Sequence, residues 1–491
     1  MLGLRPLAPL SVVTMLFAGF ALPTSACSSS SSTPAAEIPP PPPAWEGAPA
    51  TVDVYDGRLT TVPVAIRTSD PSKLVVTAAG DGVEVELAAA EPTSTDGLWR
   101  GTLRIRAGYT LAAAAAPPVS VEMVDALGQR VALAIPLQVH KLGWQKRVTW
   151  AVASGPQTRE HGAFFYDADG RAAYLLQGSG YSPQFKPIED SWRLDLATGT
   201  WTPWALTGDA PPAGGSRRVA QIPGTKKFYA YGGYIGFEAT AKDDGDLYLV
   251  DLGDAAHTFT RLKNVGAGGQ AAGGQAVGSA RELHAVAYDA EAEQLVITGG
   301  IATKPSQDAL DDTWLVKVAG DTATWTQLKT AKAPSPRYGS FTAFDSQSRR
   351  LIVWSGAQLP EVETDPVNAA QDGWALDLAA APPKWSKLAP GGEAPKGRRN
   401  GCGMHDPAGR RLFVYGGTSD GKTGEKGLYV LDLEPGREAW TKLEIASPPP
   451  LRSSGFGFAT QDGDVTCAFG NDNKPYADVA FLGYAEPPPN K

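Results

Sequence analysis

Arg281-Glu-Leu-His-Ala-Val-Ala-Tyr-Asp-Ala-Glu-Ala-Glu-Gln-Leu-Val-Ile-Thr-Gly-Gly300 is the stretch whose reading decides the fold. An apolar run follows the arginine, a short polar turn follows the run, and a second apolar run ends in paired glycines. Runs of this length, rich in β-branched residues and bounded by turn formers, read as two antiparallel strands. Asp312-Thr-Trp314 then opens a third strand, and Trp325 marks a fourth.

Working outward, the same order of residues recurs from Trp150 to the end of the chain. The arginines are Arg159, Arg218, Arg281, Arg337, Arg399 and Arg452, about 59 residues apart. The glycines are Gly178, Gly233, Gly300, Gly356, Gly417 and Gly470. Third strands open at Asp190/Trp192, Asp246/Tyr248, Asp312/Trp314 and Asp372/Trp374, weakening to Leu428/Tyr429 and Asp478. Trp201, Phe259, Trp325, Trp385 and Trp440 close the units. Four strands at this period make one blade of a β-propeller. The residues resemble the kelch repeat, over roughly Lys146 to Tyr484. Departures are Gln177-Gly178, Ser355-Gly356 and Phe469-Gly470, where the first glycine is replaced. The expected fold class is all-β: a six-bladed kelch-type β-propeller preceded by a small Ig-like β-sandwich. The sixth unit lacks a closing Trp, and Val148-Thr-Trp150 stands spare at the front. The strand at Trp150 is therefore expected to complete the sixth blade and remove an open edge.

The N-terminal third reads differently. Arg5, the apolar run Leu7 to Leu22 and the small residues Thr24-Ser25-Ala26 have the layout of a signal peptide over 1–26. Cys27, followed by Ser28 to Ser32, resembles the bacterial lipoprotein signal, with Thr24 where that family prefers Leu. The resemblance implies lipidation at Cys27 and firm membrane anchorage, since each buried acyl methylene contributes about 0.8 kcal/mol. Ser, Ala and Pro dominate 27–49, with Pro39 to Pro43 unbroken, an extended tether. Alternating segments such as Val83-Glu-Val-Glu-Leu87 and the hairpin Val119 to Val139 suggest an Ig-like β-sandwich over 50–145. The propeller is assigned to 146–491.

Function is less legible. With 44 Lys and Arg against 52 Asp and Glu, the net charge of −8 does not suit a general nucleic-acid binder. Connections on one side of the ring are short, as in Tyr166-Asp-Ala-Asp-Gly170, whereas those on the other are long. Long loops crowded on one face mark the expected binding face. The six arginines open the innermost strands, so the expected ligand site is a ring at that mouth with His161 and His284 beside it. Guanidinium groups pair bidentately with carboxylates, and some kelch propellers hold acidic peptides in this way. The alternative for each arginine is a structural bond within its own loop.

No catalytic constellation, cofactor or metal site is expected. Galactose-oxidase-type kelch enzymes need two His, two Tyr and a Cys cross-linked to one Tyr, and Cys402 and Cys467 offer no such match. These two cysteines are candidates for a disulfide in an oxidising compartment, with free buried thiols as the alternative. The reading that follows is an exported, lipid-anchored protein of the bacterial outer membrane, cell surface or periplasm. It would bind a protein, peptide or glycan in the envelope. The alternative is a carbohydrate-active enzyme similar to kelch-type sialate epimerases, drawing on Glu160, His161, Glu282 and His284.

Overall fold

A computed structural model describes residues 43–486, less short segments within that span, among them 69–74, 267–277 and 360–367. The expected signal peptide, Cys27 and most of the tether lie outside the described residues. The chain divides into two compact units, one ending at Leu142 and the next beginning at Gly143.

In the first unit, Ala44–Glu46, Leu59–Arg67, Leu98–Ala107 and Val83–Pro92 form one antiparallel sheet. Val75–Ala79, Val119–Val124 and Arg130–Ile135 form another, and Val52–Tyr55 pairs in parallel with Leu137–His140. Period-two alternation sends one face of each strand inward. Val54, Ile66, Leu103, Ile105, Val121 and Met123 are fully buried in a single core. The tether was expected to run to Pro49, but it already contains a strand. Ala44–Glu46 pairs with Ala65–Arg67, because Trp45 finds apolar cover against this core.

Among the described residues the second unit contains six blade sheets and two small extra sheets, Gly214–Gly215 with Tyr234–Ile235 and Lys242–Asp243, and Ile301–Ala302 with Asp308–Ala309. Blade 1 comprises Ala163–Asp167, Ala172–Leu176, Trp192–Asp195 and Trp201–Pro203, each antiparallel to the next. Blades 2 to 5 repeat this order, with innermost strands Arg218–Gln221, Ala285–Asp289, Phe341–Asp345 and Cys402–Asp406. In blade 6, Leu142–Thr149 pairs with Asp478–Tyr484, which pairs with Val465–Ala468. The innermost edge of blade 6 is held by the Phe456/Ala468 and Ala459/Val465 bridges. The N-terminal strand that completes this sheet ends at Thr149, one residue before Trp150. Trp150 instead wedges its ring against Trp201 of blade 1 and Phe469 of blade 6. Pairing by this strand also moves the unit boundary to Gly143, three residues before the expected 146.

The second glycine of each pair ties one blade to the next. The amide N–H of Gly178 donates to Gly214 O, Gly233 to Arg281 O and Gly300 to Arg337 O. Gly356 donates to Arg398 O, Gly417 to Arg452 O, and Gly470 returns to Arg159 O of blade 1. All six glycines have positive φ, and an added Cβ would lie 2.3 to 2.9 Å from a carbonyl oxygen in each. That is why glycine holds this position in every repeat. The residue before it is also left-handed, but Gln177, Ser355 and Phe469 occupy it without such a collision. Cys402 of blade 5 and Cys467 of blade 6 are joined in a disulfide.

Candidate functional site

Four of the arginines expected to ring the mouth do not face it. Arg159, Arg281, Arg337 and Arg452 are buried, each bound within its own blade. Arg281 Nη1 donates to Gly299 O at 3.0 Å, and both terminal nitrogens grip Asp312 at 2.6 and 2.8 Å. Arg452 does the same with Phe469 O and Asp478, Arg337 with Ser355 O and Asp372, and Arg159 with Gln177 O and Asp190. The guanidinium's forked donors satisfy the carbonyl ending the second strand and the Asp opening the third. These arginines are spent on the fold, and this corrects the expectation of a six-membered ligand ring.

Arg218 and Arg399 are not the equivalents of those four. In blade 2 the tie is made by Arg217, which donates to Gly232 O at 2.9 Å and pairs with Asp244 at 2.7 Å. In blade 5 it is made by Arg398, which donates to Gly416 O at 3.1 Å. The neighbouring arginines are thereby released toward the channel mouth.

The innermost strands of all six blades line one central channel of about 680 Å³. Its rim is set by a left-handed residue in each blade: His161, Ser216, Leu283, Gly339, Asn400 and Ser454. A belt of amide-to-carbonyl bonds joins them across four seams: Ser216 to His161, Gly339 to Leu283, Asn400 to Gly339, and Ser454 to Asn400. Among the described residues no such bond crosses from blade 2 to blade 3 or from blade 6 to blade 1.

The rim is chemically lopsided. Blades 1 to 3 supply His161, Arg218 and His284 to the lining, with Glu160, Glu282 and the nearby Tyr234 beside it. Glu160 accepts a hydrogen bond from Asn471 Nδ2, and burial pushes its carboxyl up to about 7. Burial likewise raises Glu282 to about 7, opposed by the Ser216 hydroxyl and the Arg218 charge. Burial, then Arg218 and Arg399, lower His161 to about 3. Burial and the arginines beside it hold His284 well below the ordinary range, so both imidazoles are neutral at pH 7. Blades 4 to 6 supply Tyr338, Asn400 and Arg399, whose Nη1 donates to Tyr338 Oη at 3.1 Å and whose guanidinium lies over the same ring. The apposition of cations, near-neutral carboxyls and hydroxyl donors can hold a polar or charged group entering from the long-loop side. Among the described residues no group of three or more His, Cys, Asp or Glu is arranged to hold a metal. Tyr234, Tyr338 and Asn471 were missed by the sequence reading: each directly follows a repeat residue, Gly233, Arg337 and Gly470, at a position whose residue type varies from blade to blade.

Closed sheets joined through paired glycines and buried Arg–Asp ties define a kelch-type β-propeller. A family model described as the KLHDC2/KLHL20/DRC7 Kelch-repeats domain matches residues 282–486, and the chain is a kelch-repeat propeller protein. Similar curated proteins include Adagio protein 3 of Arabidopsis thaliana, 24% identical over 289 residues, or 58% of this chain and 42% of the relative. Putative adagio-like protein 2 of Oryza sativa subsp. japonica is 24% identical over 296 residues, with the same coverage. The chain thus spans under half the length of these relatives. Similar solved structures include one titled "Structure of YjhT", with TM-score 0.45 and 14% identity, covering 67% of this chain and 95% of that one. A fungal alcohol oxidase of the AA5 family in complex with copper gives TM-score 0.41 and 14% identity, covering 77% and 69%.

Proposed function

We propose that this is an exported, lipid-anchored binding protein that holds a protein, peptide or glycan partner on its long-loop face, around the channel mouth. The lopsided rim carries this reading. A ring of repeats needs only equivalent residues at equivalent positions, so Glu160, Arg218, Glu282 and Arg399 mark what the fold did not require. The signal-like segment over 1–26 and Cys27 support export and anchorage, with an Ig-like domain as the spacer. The Cys402–Cys467 disulfide fits an oxidising compartment. The reading is tested by cross-linking capture from envelope extract, comparing the wild-type chain with Glu160→Ala/Arg399→Ala. A tenfold or greater loss of capture is expected. Unchanged capture sinks the idea.

A second reading has its own support. Glu160 and Glu282 stand on one side of the same mouth, both raised to about 7. Carboxyls at that value serve as acid and base near neutral pH. This favours acid–base chemistry on a sugar as the alternative. Proton NMR of reducing sugars mixed with the protein tests it, with Glu160→Gln/Glu282→Gln expected to abolish any accelerated anomer exchange.

A further inference from the structure

We infer that the half of the central channel nearer the hairpin turns is a second ligand site, for a small uncharged aromatic molecule bearing a hydroxyl group. It is separate from the partner site proposed at the mouth and does not depend on it.

The first observation is where charge stops. The innermost strands begin in register at Ala163, Arg218, Ala285, Phe341, Cys402 and Phe456. The cavity runs from the left-handed rim residues to the hairpin turns at Gly224, Ala290, Ser346 and Pro407. Among the described residues lining it, the charged ones are Arg217 and Arg218, both at the rim end. Strand residues rise about 3.3 Å each, so the fourth strand position lies about 10 Å beyond Arg218. The wall there is Tyr166, Gln221, Tyr288, Phe344, His405 and Ala459. The carboxylates at the fifth position are already engaged: Asp289 by Arg349, Asp345 by Arg410 and Asp406 by Arg411. A charged ligand would give up its hydration here and gain no counter-charge.

The second observation is shape. At the second strand position blades 1 to 3 carry Phe164, Val219 and Val286, whereas blades 4 to 6 carry Thr342, Gly403 and Gly457. The wall therefore recedes on one side, directly above His405. At Gly457 the backbone demands it, because a Cβ would collide with Thr466 O. At Gly403 it does not: the atom nearest an added Cβ is Phe341 Cδ1, at 3.3 Å. That recess is more than the fold requires.

The third observation is which rings are left over. Tyr166 stacks on Phe458 at 5.7 Å and Tyr288 on Tyr229 at 5.9 Å. Phe344 and His405 hold the same position on adjacent blades and have no ring partner among the described residues. His405 Nε2 is also buried without a hydrogen-bond partner. Burial lowers this imidazole to about 4, against the raising effect of Asp406 and Asp345, so it is neutral at pH 7. A nitrogen of neutral imidazole either donates or accepts, and a hydroxyl serves both cases. An aromatic body suits the unpaired Phe344 ring, face-offset or edge-on.

The full chain is titrated calorimetrically at pH 7 with p-cresol and, for comparison, with benzoate. The p-cresol is expected to bind with Kd below about 1 mM, and benzoate at least tenfold more weakly. His405→Leu keeps most of the bulk and loses the polar nitrogen, and should weaken p-cresol at least tenfold. Ala459→Phe fills the recess and should abolish binding. Without ligand, His405→Leu should melt no lower than the wild type, since it removes an unpartnered buried polar group. Glu160→Ala/Arg399→Ala should leave p-cresol binding unchanged, whatever it does to partner capture. The inference is overturned by absence of p-cresol binding, by benzoate binding equally well, by unchanged affinity in His405→Leu, or by a lower melting temperature for that variant. Loss of p-cresol binding in Glu160→Ala/Arg399→Ala would place the phenol at the mouth and overturn it too.

Discussion

The seam between blades 5 and 6 and the seam between blades 2 and 3 begin from the same strand register and end as opposites. At the first, Cys402 reaches Cys467 and makes a covalent clasp. At the second, the equivalent residue is Arg218, a cation beside an imidazole with two unpartnered nitrogens. Both replace the apolar contact that Ala163, Ala285, Phe341 and Phe456 make elsewhere. One substitution adds constraint where the ring is closed from its two ends. The other places a charge at the channel wall. Pseudo-symmetry thus makes departures measurable, because the remaining blades show what the fold alone requires.

The contrast can be broken or sharpened by substitution. Removing a shared partner at the closed side should cost most. Asp478 accepts from Arg452 at 2.7 Å and from Arg147 at 2.5 Å. Asp478→Ala leaves a buried guanidinium unpaired and should destabilise by about 3–5 kcal/mol, read from urea unfolding. Loss of the clasp comes next. Cys402→Ser/Cys467→Ser opens a loop with sequence separation 65, expected to cost about 4 kcal/mol in the chain-entropy model. A melting curve indistinguishable from the wild type would show that the clasp adds nothing. Third is Gly470→Ala, with φ of 79° and a Cβ position 2.3 Å from Ser453 O. It should cost about 1–3 kcal/mol and loosen the return bond to Arg159.

The smallest effect is on pH dependence, and it belongs to the open half of the rim. Glu160 and Glu282 have folded-state values near 7, above the unfolded value of a glutamate near 4.3. The native state therefore binds more protons between those limits. Stability from this source is full below about pH 4 and is lost as pH rises through 7. Glu160→Gln should flatten that decline. An unchanged slope of unfolding free energy against pH would mean that Glu160 ionises freely in the folded protein.

Much of the architecture was legible because repetition averages out local ambiguity. Six glycines in phase reveal a backbone demand that no single Gly-Gly could. Residues that depart from the repeat were harder to read. Where two arginines stand together, as in Arg217-Arg218 and Arg398-Arg399, strand pattern alone does not choose between them. In blade 5 the offset would have chosen correctly, since Arg398 lies 18 residues before its acceptor, as do Arg159, Arg281 and Arg337. In blade 2 the offset is 15. There the tying arginine follows the left-handed Ser216 instead of preceding it, and sequence spacing carries no sign of that shift. The mouth was harder still. Tyr234 and Asn471 reach Glu160 and its surroundings from other blades, and such meetings exist only once the ring is closed.

The glycine bonds run from blade to blade and come back to Arg159. A cycle has no first member, so the order in which the six sheets are strung matters less than their mutual succession. A circularly permuted chain, with its present ends fused and a new opening cut at another blade's outer turn, would hand on the same six bonds. Blade 6 would then lie within one continuous stretch of chain, and the role of the blade built from both chain ends would pass to whichever blade the new cut divides.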